Sequence, residues 1–461
     1  MLDVAYFISL LLHGFRVNFK AVLLALSLLS FCFINLYWWQ LDEAALYKVV
    51  FDAGSTGTRV HVFRFSSSKS SLRSQEDLAL ISIPLFAKID GGISDYAVNV
   101  KGARPGLDEL VSKARDAIPK SKWAETEAIF LATAGLRLLP ANQASALLTE
   151  ARNALARSGF KVGLVDTIDG KLEAKLMFTM THFVTNTDQR AQASQMAIVD
   201  LGGGSVQLAY KSDQPFDIEH WKDPQSGEEA RKYFELSSNR SILYLHSWLG
   251  YGLVAFRMKA LELAGSGSPH PCVPTWTPPG TQYKYGEKSV HVVPGSSKSL
   301  DSCVLLVKEA LGNRNDGQCR LVQDYLLNSQ GQPGRCGLNG VWLGPSEPNS
   351  IAEWRLFSYI FDLAQEEGMV QPGVSEGSLS ARDFMNSAVK HCQASGEGSS
   401  EKILWWKCVD LVYVSVLLTD GFKLDPDFPL RVTKHLWYKG AIELEAAWPL
   451  GAAIASIRNE L

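Results

Sequence analysis

Apolar positions along the chain fall into two kinds of segment. Short dense runs at 46–52, 59–65, 128–133, 162–168, 196–200 and 206–210 have the length and branched-residue content of buried strands. Helical spacing appears at 141–158, where Gly159 is placed to close the helix, and at 252–264. Ser380 stands where an N-cap would open another helix. Strands alternating with helices predict an α/β architecture with strands buried on both faces.

One apolar run follows neither pattern. Residues 21–39 form an uncharged stretch of 19 residues, reaching about 28 Å as a helix, close to the hydrocarbon thickness of a bilayer. Arg16 and Lys20 precede it, Asp42 and Glu43 follow it, and Tyr37, Trp38 and Trp39 stand at its far end. That asymmetry predicts a single signal anchor with residues 1–20 in the cytoplasm and the remainder in a lumen or outside the cell. A cleaved leader is the alternative, although no small-residue cleavage pattern follows Trp39. The later apolar stretch 409–419 is short and carries Asp410, which predicts a core helix.

Cysteine placement agrees with an oxidising compartment. Cys32 lies in the apolar run, and six more (Cys272, Cys303, Cys319, Cys336, Cys392, Cys408) follow it. Six cysteines allow 15 pairings, of which the sequential one (272–303, 319–336, 392–408) is the simplest expectation. Asn239-Arg240-Ser241 is a glycosylation sequon on the same side. Residues 66–71 and 393–400 read as surface loops. The stretch 265–299, rich in Pro, Gly and Ser, reads as an irregular insertion that buries little apolar surface.

Composition adds two limits. The 461 residues carry 45 basic and 48 acidic side chains, a net charge of −3, which argues against a nucleic-acid footprint. The 46% hydrophobic content is globular, with length for two substantial units.

Candidate chemistry lies in a loose internal repeat. Val50-Phe51-Asp52-Ala53-Gly54-Ser55-Thr56-Gly57-Thr58-Arg59 and Ile198-Val199-Asp200-Leu201-Gly202-Gly203-Gly204-Ser205-Val206-Gln207 each run strand, Asp, one residue, Gly, small residues, strand. Glycines let backbone N–H groups approach an anion, hydroxyls add donors, and an Asp ending each strand can hold a divalent cation on phosphate oxygens. A single such loop is more often an ordinary hairpin. Two copies separated by about one domain length favour a polyphosphate clamped from both sides. On fold, this pattern resembles the actin-like ATPase superfamily, with two ribonuclease H-like lobes.

Four further segments narrow the resemblance. They are Ala132-Thr133-Ala134-Gly135-Leu136-Arg137, Ile168-Asp169-Gly170-Lys171-Leu172-Glu173, the stretch from Tyr244 to Gly252, and Ala446-Ala447-Trp448-Pro449-Leu450-Gly451. With the two loops, and in this order, they closely resemble the apyrase (nucleoside triphosphate diphosphohydrolase) family over residues 49–454. The resemblance implies metal-dependent removal of terminal phosphates from nucleoside di- or triphosphates, with Ca²⁺ or Mg²⁺. It implies Glu173 as the base that activates water, with Gln207 and Ser205 orienting that water. Asp52 and Asp200 would hold the cation through water, near Thr133 and Trp448. Ser55, Thr56, Gly57, Thr58 and Arg59 would face Gly202, Gly203 and Gly204 across the terminal phosphate, with Arg137 supporting the first lobe. The base would stack near Phe357, Tyr359 or Phe361, although an aromatic stripe is more often core.

Three departures from the family pattern stand out. Ala174 follows Glu173 where Gly is usual, Lys171-Leu172 are less acidic than usual, and Asp90-Gly91-Gly92-Ile93-Ser94 only partly matches a Pro-Gly-Leu-Ser segment. The resemblance further implies lobe I at 44–168 and 437–461 and lobe II at 169–436, the last helix crossing back after Gly440. One N-terminal anchor resembles the Golgi members, which act on nucleoside diphosphates; a broad cell-surface apyrase is the alternative.

Overall fold

The computed structural model describes residues 45–66, 78–185, 196–212, 234–236, 242–265, 267–286, 288–296, 299–312, 335–393 and 405–461. The apolar run 21–39, Cys319 and the Asn239 sequon lie outside these residues. Among the described residues, no helix is long and apolar enough to cross a membrane.

Sixteen strands are described. In chain order they are β1 (Ala45–Ala53), β2 (Gly57–Ser66), β3 (Ala79–Asp90), β4 (Glu127–Ala132), β5 (Lys161–Thr167), β6 (Met196–Leu201), β7 (Ser205–Ser212) and β8 (Phe234–Leu236). There follow β9 (Ile242–Leu249), β10 (Gln282–Tyr285), β11 (Lys288–His291), β12 (Glu353–Ser358), β13 (Glu376–Leu379), β14 (Leu430–Thr433), β15 (His435–Tyr438) and β16 (Ile442–Glu445). They build two large sheets, β3-β2-β1-β4-β5 and β13-β14-β12-β6-β7-β9-β8. All six strand segments expected from the sequence are present. Two lobes of α/β structure result.

Each loop Asp stands near the carboxyl end of a strand at the centre of its sheet. β1 runs parallel to β4, pairing Asp52 with Leu131, and β6 runs parallel to β12, pairing Asp200 with Phe357. Helices packed on both faces explain why β6 is buried at every position. β3 is an edge strand, which tolerates Pro84 because a proline there need not donate to a neighbour.

Helix limits follow local chemistry. The expected 141–158 helix spans Ala141–Ala156, and Gly159 takes φ +83° just beyond it. Ser380 caps Ala381–Cys392 in a capping box with Asp383. The 409–419 stretch is indeed a buried helix, Lys407–Val416, continued by a wider turn at Leu417–Gly421.

Two expectations change, and the disulfide pairing stands as far as it can be followed. Disulfides Cys272–Cys303 and Cys392–Cys408 form as expected, while the 319–336 pairing cannot be placed because Cys319 is outside the described residues. The 265–299 insertion buries more than its composition implied. Its β10–β11 hairpin brings Tyr283 into a small cluster with Val273, Val292, Met258, Leu261 and Trp405, the last contributed by a distant segment. After Gly440 the chain first forms β16 and only then the helix Pro449–Ile457, because alternation at 442–445 pairs with β15.

That last helix is tied to the helix bearing Glu173 and to the first sheet. A Cβ on Gly451 would lie 1.9 Å from the Leu176 carbonyl oxygen, so only glycine lets it cross the helix Gly170–Thr185 this closely. Farther along, Lys48 Nζ of β1 donates to Ser456 Oγ at 2.7 Å and also pairs with Glu127 of β4.

Candidate active site

The two glycine loops close in the same way. Gly54 N donates to Gly57 O at 3.0 Å, and Gly202 N donates to Ser205 O at 3.0 Å. They face one another: a Cβ on Gly203 would meet Ser55 Oγ at 2.7 Å and Thr56 Cγ2 at 2.9 Å. A cleft of about 510 Å³ lies at this junction. Asp52, Ser55, Thr56, Arg59, Thr133, Glu173, Asp200, Ser205, Tyr359, Trp448 and Gly202 to Gly204 all line it. Gly57, Thr58 and Gln207 do not, Thr58 and Gln207 being buried within β2 and β7.

Glu173 sits in the first turn of Gly170–Thr185, where Asp169 Oδ1 accepts from Leu172 N and fixes the helix start. Arg137 Nη2 donates to Glu173 Oε2 at 2.6 Å and reaches Ser205 Oγ at 3.2 Å. Gln207 Nε2 lies 3.0 Å from the same Oε2, 2.7 Å from Ser205 Oγ and 3.0 Å from Ser247 Oγ. The carboxylate is therefore held from behind by groups of both lobes. Thr133 opens the short helix Ala134–Arg137 that delivers Arg137, and its N–H donates to Ala53 O at 3.2 Å.

Burial pushes the Glu173 carboxyl up to about 7; Arg137 opposes this and Asp200 adds to it. Burial likewise raises Asp52 to about 6, against Arg59 and with help from Glu445 and Asp200. Asp200 is raised by burial despite a 2.6 Å hydrogen bond from Ser358 Oγ. Three buried carboxylates converge against two guanidinium groups: Arg137 pairs with Glu173 at 2.6 Å, and Arg59 Nη1 lies 3.4 Å from Asp52 Oδ2. That surplus of negative charge, presented by oxygen atoms alone, fits a hard divalent cation such as Ca²⁺ or Mg²⁺.

Several lining residues carried no motif in the sequence. Glu445 lines the cleft three residues before Trp448, its Oε2 buried without a hydrogen-bond partner among the described residues. Lys434 reaches the cleft paired to Asp362 at 2.8 Å, and Phe86 and Lys88 enter from β3. Ser358 adopts φ +59° and ψ −125°, a strained conformation for a residue with a side chain. Of the three aromatic candidates, Tyr359 lines the cleft, whereas Phe357 and Phe361 are core. His246 and Tyr251 are packing residues, His246 against Trp248 at 4.3 Å.

Comparison with known proteins decides the wider assignment. The model of the GDA1/CD39 (nucleoside phosphatase) family matches residues 39–460. The chain belongs to the GDA1/CD39 family. Apyrase 1 of Arabidopsis thaliana is 32% identical over 425 residues, covering 90% of this chain and 85% of that protein. Ectonucleoside triphosphate diphosphohydrolase 5 of Mus musculus is 29% identical over 443 residues, covering 93% and 91%. A crystal structure of a nucleoside triphosphate hydrolase from Neospora caninum has the same fold, with a TM-score of 0.56 at 12% identity over 90% of this chain and 93% of that one. Membership of the GDA1/CD39 family makes this protein a hydrolase of nucleotide phosphates.

Proposed function

We propose that this GDA1/CD39 protein hydrolyses the terminal phosphoanhydride of nucleoside diphosphates by direct attack of water, with Glu173 as general base. The observation that carries this is the convergence of Arg137 and Gln207 on Glu173 Oε2. With both donors on that atom, Oε1 is the oxygen turned to the reacting water. A carboxyl held near 7 matches what a general base needs at neutral pH.

The terminal phosphate sits between the Ser55–Thr56 hydroxyls and the N–H groups of Gly202 to Gly204, which orient it for in-line attack. Glu173 takes the proton from water as the new P–O bond forms. The bridging P–O bond breaks, and its electron pair leaves on the nucleoside monophosphate. Ser205 and Gln207 fix the water's position, Gln207 acting from outside the cleft lining. A divalent cation held by Asp52 and Asp200 through its waters would supply the charge neutralisation that phosphoryl transfer chiefly requires.

Glu173→Ala tests the reading. Phosphate release should fall about 10³-fold with nucleotide affinity retained; release near the wild-type rate would show that Glu173 is not the base, and release absent from the wild type would favour a nucleotide-binding protein without turnover. A panel of GDP, UDP, ADP and ATP, each with Ca²⁺ and Mg²⁺, tests the preference for diphosphates, which equal rates on ATP would replace with a broad apyrase. Support for a Golgi-lumen anchor rests on the apolar run 21–39 and its flanking charges. A glycosidase-sensitive Asn239 glycan on a membrane-bound, Golgi-localised chain is the expected result, and surface staining of intact cells would refute it.

A further inference from the structure

The backbone of Gly202–Gly204 is held by the helix Leu253–Leu263 and the residues that lead into it. Leu253 N donates to Gly202 O at 2.9 Å, Ala255 N to Gly203 O at 2.9 Å, and Gly250 N to Gly204 O at 2.8 Å. Two of these donors are first-turn N–H groups, which have no acceptor inside their own helix. In a trans peptide the N–H points opposite to the C=O. With all three carbonyls committed to this side, the N–H groups of Gly203, Gly204 and Ser205 turn to the other, where the cleft lies. Gly252 permits the approach: a Cβ there would stand 2.4 Å from Gly203 C, Gly204 N and Ser205 N.

Strand β10 of the insertion reaches the same backbone. Tyr285 Oη lies 2.8 Å from the place a Cβ on Gly204 would take, and Ala134 Cβ lies 2.7 Å from it. Gly204 is thus flanked by β10 and by the short helix that delivers Arg137. Tyr285 does not line the cleft, so it acts on a phosphate there only through the loop. Tyr283 Oη donates to Val254 O at 2.8 Å, and Val254 Cγ2 stands 3.6 Å from the Cβ position of Gly203. Val254, Tyr283 and Tyr285 share the small cluster with Met258, Leu261 and Trp405. His270 accepts from Cys272 N through Nδ1 and donates from Nε2 to Ala260 O at 3.0 Å, which joins the disulfide-tethered insertion to the same helix.

We propose that β10 is a positioning element for phosphate recognition, with Tyr285 and Tyr283 holding the Gly202–Gly204 loop so that its N–H groups stay aligned on the terminal phosphate. The inference rests on the hydrolase reading in taking that loop as the phosphate loop. Its signature is selective. A loop free to tilt loses aligned donors for a terminal phosphate, while a ligand without that phosphate loses nothing.

Calorimetric titration of the full chain in Ca²⁺, with methylene-bridged ADP and with AMP, provides the test and needs no turnover. Tyr285→Ala should weaken methylene-bridged ADP about tenfold and leave AMP unchanged to about twofold. Tyr285→Phe, which keeps the ring against Gly204, should restore most of the loss. Tyr283→Phe removes only the hydroxyl that reaches Val254 O and should weaken methylene-bridged ADP about threefold at a nearly unchanged melting temperature. That variant carries the test if Tyr285→Ala does not fold. Undiminished binding of methylene-bridged ADP in the folded variants, or an equal loss for AMP, would overturn the proposal. A wild type that binds methylene-bridged ADP no more tightly than AMP would instead defeat the phosphate-loop reading, and this inference with it. A fully active Glu173→Ala would leave the titration readable.

Discussion

The two glycine loops share one backbone and divide the work. Each is closed by the same N–H···O bond, and each carries a decisive side chain seven residues after its Asp: Arg59 in the first, Gln207 in the second. Arg59 turns back to its own loop Asp, at 3.4 Å. Gln207, paired in register with Asp200 across β6 and β7, leaves that carboxylate to the neutral Ser358 hydroxyl and reaches Glu173 instead. One loop therefore manages charge, and the other holds Glu173, the proposed base. A repeated fold can acquire an asymmetric reaction through one side chain at an equivalent position.

Substitution at that position gives the largest expected effect. Gln207→Ala should lower kcat about 100-fold with little change in KM, because it disorders a proton acceptor without touching the phosphate. Arg59→Ala should act mainly on KM and on the cation concentration for half-maximal rate, by about tenfold. Steady-state kinetics over a range of metal concentrations checks both, and an equal loss of kcat in the two variants would erase the division of labour.

Metal removal sharpens the comparison through pH. Folding raises Glu173 from 4.5 to about 7 and Asp52 from 3.8 to about 6, so the folded chain binds protons more tightly than the unfolded one. The stability this lends is fully present below about pH 4 and is lost as pH rises through 6 to 7, by about 3 kcal/mol for either group. Melting in chelator should therefore fall from pH 4 to pH 8, and added Ca²⁺ or Mg²⁺ should remove most of the fall. A melting temperature independent of pH in chelator would contradict the crowding of negative charge. The smallest effect belongs to Ser358→Ala, which removes one hydrogen bond to Asp200 and should weaken cation binding, read by calorimetry, about fivefold.

Much of this was legible in the sequence for simple reasons. Strands β1, β4 and β6 are buried throughout or nearly so, and they read as continuous apolar runs ending in the loops they position. β3 was not legible, because Pro84 interrupts a run whose alternate residues are exposed at a sheet edge. Glu445, Lys434 and Ser358 sit in segments without motifs; Ser358 reaches the cleft through the long-range pairing of β12 with β6, and Lys434 and Glu445 come from the β15–β16 hairpin and the residue before it. Strain at Ser358 was equally hidden, since a positive φ is anticipated at glycine and not at serine. The insertion hid its core in Trp405, a residue more than a hundred positions away.

The crossing at Gly451 has a consequence for biosynthesis. The helix Pro449–Ile457 crosses the helix bearing Glu173 at Gly451, and its Ser456 bonds to Lys48 near the start of the first sheet. At about 5–20 residues per second, β1 leaves the ribosome tens of seconds before its last partner does. The first glycine loop must wait through that interval without the 445–448 segment that completes its cleft.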